Sequence, residues 1–294
     1  MSITPRNIIA FFIALLLIFS GKVRKARHRA MNGEFILSIY FHNPSKKEFK
    51  SIVKWLIKRE FRFLSLRELR EIMTDEITFP KGAVVITVDD GWRTNETNIV
   101  EIANKYRIPV TIFVSTEPVE QGAYWWSYAK EAIKRGHRIP PIKELKKMSD
   151  KNRLDIVGKA KREISLDREA MTIEQIQRIS KSDLVTIGGH THTHPVLTNC
   201  SDEDVRNELN VSKEKLTSWI GKEIEFFAYP NGDFSHREIE VLKELDYELG
   251  FANNPQYLTK EALRKNYAIP RLGFLEGASF AENICRVVGV WKRR

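Results

Sequence analysis

Three of the chain's seven histidines, His190, His192 and His194, lie in the segment G-G-H-T-H-T-H-P that begins at residue 188. Imidazole nitrogens are common metal ligands. His190 and His194 approach each other if the segment forms a helical turn, where such positions lie about 5 to 6 Å apart. In an extended segment, His192 would instead share a face with one of the other two. The sequence therefore offers two geometries for a metal site, and a solvated loop is the plain alternative.

Two adjacent aspartates, Asp89 and Asp90, follow the apolar segment A-V-V-I-T-V and precede Gly91. Such carboxylates near a core are costly unless they are ionised and paired or bound to a cation, although Asp-Asp-Gly is also ordinary turn chemistry. Asp90 with His190 and His194 forms a two-histidine, one-carboxylate set suited to zinc that carries a water, and the same set serves non-haem iron. Asp89 then fits the need for a general base.

The elements that must position these residues alternate between short β-rich segments and amphipathic helical patterns from residue 34 onward. This alternation predicts βα units around a mostly parallel sheet or barrel, and therefore an α/β fold. Strands are predicted to begin at residues 35, 83, 109, 184, 224 and 247, and helices to cover 46–59, 65–73, 95–106, 173–181, 201–219 and 235–245. The segment 117–170 is too long for a single crossover between two strands. It therefore predicts a mostly helical insertion over one rim of the barrel.

Four of the predicted strands end in polar residues that could carry chemistry. In folds of this class, functional residues gather at the carboxyl ends of the strands. The residues at these ends are His42, the pair Asp89–Asp90, His190, and the run from Tyr229 to Gly232. We therefore expect them to converge on one face of the barrel.

The amino-terminal part of the chain differs in character from the rest. An apolar run at 8–19 is followed at once by a basic block, Lys22, Arg24, Lys25, Arg27 and Arg29. As a helix the run extends roughly 18 Å, short of the roughly 30 Å bilayer core, which fits a signal peptide or a shallow anchor. We expect residues 1–31 to be this segment and 32–294 to be one catalytic domain. The basic residues after the run argue for a cytoplasmic flank, which conflicts with simple export.

The formal net charge of +10 favours contact with anionic surfaces, such as phospholipid headgroups. The sequence carries no recognised nucleic-acid motif, so no nucleic-acid partner is expected. The two cysteines form no C-x-x-C pattern and indicate no redox compartment.

Three motifs in order, V-I-T-V-D-D-G-W, G-G-H-T-H-T-H-P and F-F-A-Y-P-N-G-D, resemble the polysaccharide deacetylase family, the NodB-type carbohydrate de-N-acetylases also grouped as carbohydrate esterase family 4. The resemblance runs from about residue 35 to 273. It implies a distorted (β/α)7 barrel that removes N-acetyl groups from an amino-sugar glycan and releases acetate. It also implies Asp89 as the base and a divalent metal on Asp90, His190 and His194, zinc first, with cobalt, nickel or iron as alternatives.

The chain departs from the family pattern at two places. The arginine that many members carry in the third motif is replaced by Ala228, and Arg271 in I-P-R-L-G-F could supply the guanidinium instead. Many members also carry a general-acid histidine in a late L-x-H motif, but here no histidine follows His236. His42, in I-Y-F-H-N, resembles the early Y-H of a permuted branch that includes poly-N-acetylglucosamine deacetylases, and we assign it as the general acid. The backbone N–H of Asn231 is expected to stabilise the oxyanion.

The expected partners follow from these assignments. Trp125, Trp126 and Tyr229 are candidates for binding sugar rings, with burial in the core as the alternative. The substrate is an N-acetylated glycan or a lipid-linked amino sugar, and the protein is expected at a membrane surface of the bacterial cell envelope, extracytoplasmic rather than cytoplasmic. The competing hypothesis is a catalytically impaired glycan- or membrane-binding protein on the same barrel. The missing histidine and arginine favour it, and the intact aspartate and histidine pairs oppose it.

Overall fold

Eight parallel strands form one sheet in the computed structural model, which describes residues 4–291. The hydrogen-bonded order is β7-β6-β5-β4-β3-β1-β8, and β2 pairs with the first half of β3. Ile269, just before β8, bridges in parallel to Phe251 of β7, so the two ends of the path approach each other. The strands are Leu37–Phe41 (β1), Arg62–Leu64 (β2), Ala83–Val88 (β3), Val110–Val114 (β4), Val185–Gly189 (β5), Phe226–Ala228 (β6), Leu249–Phe251 (β7) and Leu272–Gly273 (β8).

This topology confirms the predicted (β/α) barrel architecture. All residues of β3 and β4 are buried, as expected for parallel strands that are covered on both faces. The six predicted strands are present, whereas the very short strands β2 and β8 were not predicted. Gly188 and Gly189 are the last two residues of β5. A Cβ atom on Gly188 would lie 2.5 Å from the Phe113 ring, so the packing there requires glycine.

Fourteen α-helices surround the sheet within residues 4–291. Four of them, α3, α4, α10 and α12, begin with capping boxes at Ser45, Ser65, Thr172 and Ser235, which satisfy free amides at the helix start. A π-helical turn, Glu96–Val100, precedes α5. The helices are Pro5–Phe19 (α1), Lys22–Met31 (α2), Lys46–Ile57 (α3), Leu66–Met73 (α4), Glu101–Tyr106 (α5), Thr116–Gln121 (α6), Trp125–Lys134 (α7), Ile142–Leu145 (α8), Asp150–Glu163 (α9), Ile173–Ile179 (α10), Asp202–Ile220 (α11), His236–Glu244 (α12), Lys260–Leu263 (α13) and Phe280–Val287 (α14).

The chain between β4 and β5 contains α6 to α10, and α6 to α9 form the predicted helical insertion. Its helices pack around a small core of their own, which includes Trp125, Leu145 and Val157. The insertion is fixed to the loop after β5, because Arg153 donates to the Thr193 hydroxyl (3.2 Å). It therefore lies against the carboxyl ends of the strands.

The amino-terminal helix α1 packs against α14 rather than standing apart from the barrel. Ala10 and Ala14 are buried in this contact, and the Asn7 amide donates to the Gly277 carbonyl. Arg6 forms an ion pair with the buried carboxylate of Glu282. Within residues 4–291, no single helix is long and apolar enough to cross a bilayer, although α1 and α2 together, bent by 59°, meet the length and composition criteria. The boundary predicted at residue 31 stays a prediction.

Candidate active site

The carboxyl ends of β1, β3, β5 and β6 converge on one cavity, as the sequence predicted. The cavity has a volume of about 270 Å³ and opens beside the helical insertion. The residues that line it are His42, Asp89, Asp90, Trp126, Lys130, Ile142, Lys146, His190, His194, Asn231 and Asn253.

Asp90, His190 and His194 form a buried cluster whose ligand atoms all lie within 4.8 Å of one another. The Nε2 atoms of His190 and His194 lie 3.4 and 3.3 Å from Oδ1 of Asp90. His190 Nδ1 lies 2.7 Å from the Ala228 carbonyl, and a hydrogen bond donated there leaves Nε2 as the ligand atom. Trp92 Nε1 donates to the other Asp90 oxygen (2.9 Å). This donor set fits a divalent metal ion.

Electrostatics favour the ligand forms of these side chains. Burial alone would raise the pKa of Asp90, but hydrogen bonds from both histidines hold it well below its ordinary value. Burial lowers the pKa of His194 to about 4, against the opposing effect of Asp90. At neutral pH the cluster therefore offers a carboxylate and a neutral His194 imidazole, as metal binding requires.

The histidine segment reaches this geometry in neither of the two conformations that the sequence offered. It is an irregular loop rather than a helical turn, with Thr191 and His194 in the left-handed region at φ 66° and 58°. Left-handed residues other than glycine are uncommon and concentrate at functional sites. His192 is outside the cluster of Asp90, His190 and His194, and its Nδ1 contacts the Thr116 hydroxyl at 2.8 Å.

Groups outside the motifs hold this loop in place. Glu208 of α11 accepts hydrogen bonds from the backbone N–H groups of His192 (2.9 Å) and Thr193 (2.8 Å), and from the Thr193 hydroxyl. Burial raises the pKa of Glu208 to about 7, although the bonds from Thr193 oppose the shift. Trp125 Nε1 donates to the His194 carbonyl (3.0 Å). Glu208 was missed in the sequence because its position in an amphipathic helix looks ordinary.

Asp89 forms a buried, bidentate ion pair with Arg271. The two guanidinium nitrogens Nη1 and Nη2 each lie 2.7 Å from one carboxylate oxygen of Asp89. The remaining Arg271 N–H groups donate to the Thr87 hydroxyl, the Asn253 side-chain oxygen and the Ala252 carbonyl. All five donors are therefore engaged, and Arg271 orients the Asp89 carboxylate although it comes from the end of the chain.

His42 and Asn231 both line the cavity. The His42 side chain is partly exposed, and its Nδ1 lies 4.0 Å from a carboxylate oxygen of Glu276. Asn231 has a left-handed backbone, φ 58°, and its side-chain oxygen accepts a hydrogen bond from Lys146 Nζ. Burial lowers the pKa of Lys146, a residue of the insertion that the sequence analysis did not single out.

Of the three predicted sugar-binding residues, only Trp126 lines the cavity. Its ring meets that of His194 edge to face, with 4.7 Å between centroids. Trp125 is buried under the histidine loop, and Tyr229 is buried with its hydroxyl donating to the Tyr267 carbonyl. The structure does not bring Trp125 or Tyr229 to the cavity, because both side chains are part of the packing behind it.

Comparison with known proteins agrees with this site. The sequence profile of the polysaccharide deacetylase family matches residues 76–140 and 157–250, more than half of the chain. The chain belongs to this family. The predicted enzyme class, a hydrolase that removes N-acetyl groups from carbohydrate, is confirmed at this level. The matched ranges contain the two aspartates and the histidine loop.

The deacetylase has relatives among both curated and solved proteins. It is 25% identical over 263 residues to a poly-β-1,6-N-acetyl-D-glucosamine N-deacetylase of Staphylococcus aureus, covering 83% of this chain and 76% of the relative. It shares its fold with the Streptococcus pyogenes deacetylase PplD in complex with acetate (TM-score 0.64, 18% identity, 86% of this chain and 98% of that one). It shares it also with IcaB from Ammonifex degensii (TM-score 0.63, 17% identity, 88% and 98%).

We predict that Glu208→Ala weakens metal binding by about 10- to 100-fold, the usual effect of removing a partner that orients metal ligands. Without the carboxylate, the amides of residues 192 and 193 lose their acceptor and the loop loosens. Glu208→Gln retains an amide oxygen and should bind metal more nearly like the unmodified protein. Zinc affinity is measured by competition with a chromophoric chelator. Glu214→Ala, an exposed change on the same helix, is the matched control. Equal affinity in Glu208→Ala and the control would contradict this role.

Proposed function

We propose that this deacetylase hydrolyses the N-acetyl groups of a poly-N-acetylglucosamine-like glycan with zinc bound by Asp90, His190 and His194. The observation that carries the proposal is the pairing of two different carboxylate environments in one cavity. The Asp89 carboxylate accepts hydrogen bonds from a guanidinium, whereas the Asp90 carboxylate contacts two imidazole rings. The S. aureus relative that matches most of the chain is named for poly-β-1,6-N-acetyl-D-glucosamine. Cobalt, nickel or iron are the alternative metals, since they accept the same donor set.

A divalent metal held by Asp90, His190 and His194 would supply Lewis acidity at this site and would lower the pKa of a water there. Asp89 is the general base that takes the proton of that water, and Arg271 keeps its carboxylate aimed into the cavity. The N–H of Asn231 donates to the oxygen of the acetyl group as negative charge develops there, which is the role of an oxyanion donor. His42 gives a proton to the departing amine, so that the amide bond breaks to acetate and a free amino sugar.

The arrangement around Arg271 bears on the competing hypothesis of an impaired binding protein. That hypothesis drew on the missing third-motif arginine. Arg271 contacts Asp89 through both terminal nitrogens, so a guanidinium meets the base although Ala228 replaces the usual residue. His42 lines the same cavity from the end of β1. These contacts support turnover rather than binding alone.

We predict that Asp89→Asn lowers kcat for acetate release by about 10²- to 10⁴-fold while zinc content stays at one ion per chain, because a base is lost and the ligands remain. His194→Ala should instead lose the metal, since it removes one of three ligands. Acetate release from chitotetraose and metal content by mass spectrometry separate the two effects. Normal acetate release by Asp89→Asn, or full zinc content in His194→Ala, would refute the assignment.

We further propose that the protein works at a membrane surface of the cell envelope, extracytoplasmic rather than cytoplasmic, with α1 as a retained interfacial anchor. The side of α1 that faces away from α14 carries large apolar side chains with high exposure, including Phe12 (60%), Leu16 (70%) and Phe19 (82%). Such a face fits the boundary between headgroups and acyl chains. The packing of Ala10 and Ala14 onto the domain supports retention of α1 rather than its removal as a signal peptide.

Basic residues beside α1 support an anionic bilayer as the partner. Lys22, Arg24 and Lys25 are exposed at the start of α2. A groove of about 990 Å³ between these helices and the end of the chain has both apolar and basic lining residues, among them Leu17 and Lys25. Juxtaposed apolar and basic groups bind anionic lipid through hydrophobic insertion and charge attraction together. A lipid-linked amino sugar would be an alternative substrate at such a surface.

We predict that the protein co-sediments with phosphatidylcholine vesicles that contain phosphatidylglycerol, less so in high salt, because surface charge attraction is screened. The triple change Phe12→Glu, Leu16→Glu and Phe19→Glu should weaken binding by about tenfold or more, since three apolar side chains no longer insert. Ile57→Glu, an exposed apolar position on α3, is the control. Unchanged sedimentation of the triple variant would contradict the anchor.

A further inference from the structure

Two lysines of the helical insertion reach the active-site cavity, and no motif accounts for them. Lys130 of α7 and Lys146, which ends α8, both line the cavity beside the metal cluster. Within residues 4–291, neither ammonium has a carboxylate oxygen within 4.0 Å. Lysines without a carboxylate partner beside a catalytic centre raise the local concentration of anions.

The acidic groups of the cavity already have their own cationic partners. Asp89 is neutralised by Arg271 through two hydrogen bonds, and Asp90 belongs to the metal cluster. Burial lowers the pKa of Lys146, and the carboxylates of Asp90 and of the exposed Asp233 oppose that shift without contacting the ammonium. With a divalent ion bound, the cavity therefore carries an excess of positive charge, more than a neutral acetamide group requires.

Lys146 is held firmly rather than free in solvent. Its carbonyl accepts a hydrogen bond from the Asn199 side chain (2.8 Å), and its ammonium donates to the Asn231 side-chain oxygen. The ammonium has three donors, and this bond uses one of them. Neighbouring Leu145 is fully buried in the core of the insertion, which fixes the backbone at this point.

We propose that Lys130 and Lys146 form an anion subsite, and that among glycans that contain N-acetylglucosamine the preferred substrate carries a carboxylate or phosphate near the acetylated ring. This inference rests on the proposed deacetylation and specifies its substrate class. Lys130 contributes charge alone, whereas Lys146 also positions Asn231. The two lysines are therefore expected to differ in their effects on neutral substrates.

The test compares acetate release from three substrates with the zinc-loaded enzyme. Chitotetraose is neutral, a tetrasaccharide with N-acetylmuramic acid carries carboxylates, and N-acetylglucosamine 1-phosphate carries a phosphate. We expect kcat/KM to favour an anionic substrate at low salt, and added sodium chloride to reduce that preference. Lys130→Met should reduce the preference by about fivefold, with the loss greater for the anionic substrates than for chitotetraose, the size of effect typical of an exposed ion pair. If only the N-acetylmuramic acid tetrasaccharide shows this dependence on Lys130, the subsite binds a carboxylate; if only N-acetylglucosamine 1-phosphate shows it, the subsite binds a phosphate.

Lys146→Met should lose the preference and also lower kcat for all three substrates, whereas Lys146→Arg should retain the preference. Lys143→Met, on the exposed side of α8, is the matched control. A preference for chitotetraose in the unmodified enzyme, or equal effects of Lys130→Met on neutral and anionic substrates, overturns the anion subsite. Binding of the two tetrasaccharides to Asp89→Asn by calorimetry tests the subsite without turnover. If no substrate releases acetate but that binding still depends on Lys130, the proposed function fails and the subsite stands.

Discussion

The structure depends on the need to neutralise two adjacent carboxylates at the buried end of β3. Asp89 and Asp90 are both almost fully buried, and an unpaired buried charge typically costs several kcal/mol. The chain separates them by placing Asp90 in the left-handed region, φ 75°, so that the two side chains reach different partners. Asp89 forms an ion pair with Arg271, and Asp90 contacts the imidazoles of the histidine loop. In the proposed mechanism, this separation lets one dipeptide supply both a base and a metal ligand.

Each partner requires support from elsewhere in the fold. Arg271 crosses to β3 because β8 pairs with β1, which lies next to β3. The histidine loop is held by Glu208 from α11 and by Trp125 from the insertion. The insertion thereby has two connections to the site, one through the loop and one through Lys146 and Asn231. Rigid support of this kind is what keeps functional groups at working distances.

The sequence predicted the residues of the site better than their conformations. The sequence pattern located six of the eight described strands and the polar residues at their ends, because buried parallel strands have continuous apolar sequences. The two-residue strand β8 was too short to be recognised, although Arg271 just before it was proposed from the missing guanidinium. The histidine loop could not be predicted, since its left-handed residues Thr191 and His194 are stabilised by distant groups such as Glu208. Trp125 and Tyr229 illustrate the same limit, because burial of an aromatic ring depends on tertiary packing.

The division of labour between the two aspartates requires a metal at Asp90, and this is the central claim. Its most direct measurement is acetate release from chitotetraose by the unmodified protein, before chelation, after complete removal of metal, and after addition of one equivalent of zinc. The account predicts that release stops when the metal is removed and returns with zinc. Continued release by a sample proven free of metal, or no release with zinc bound, would contradict it.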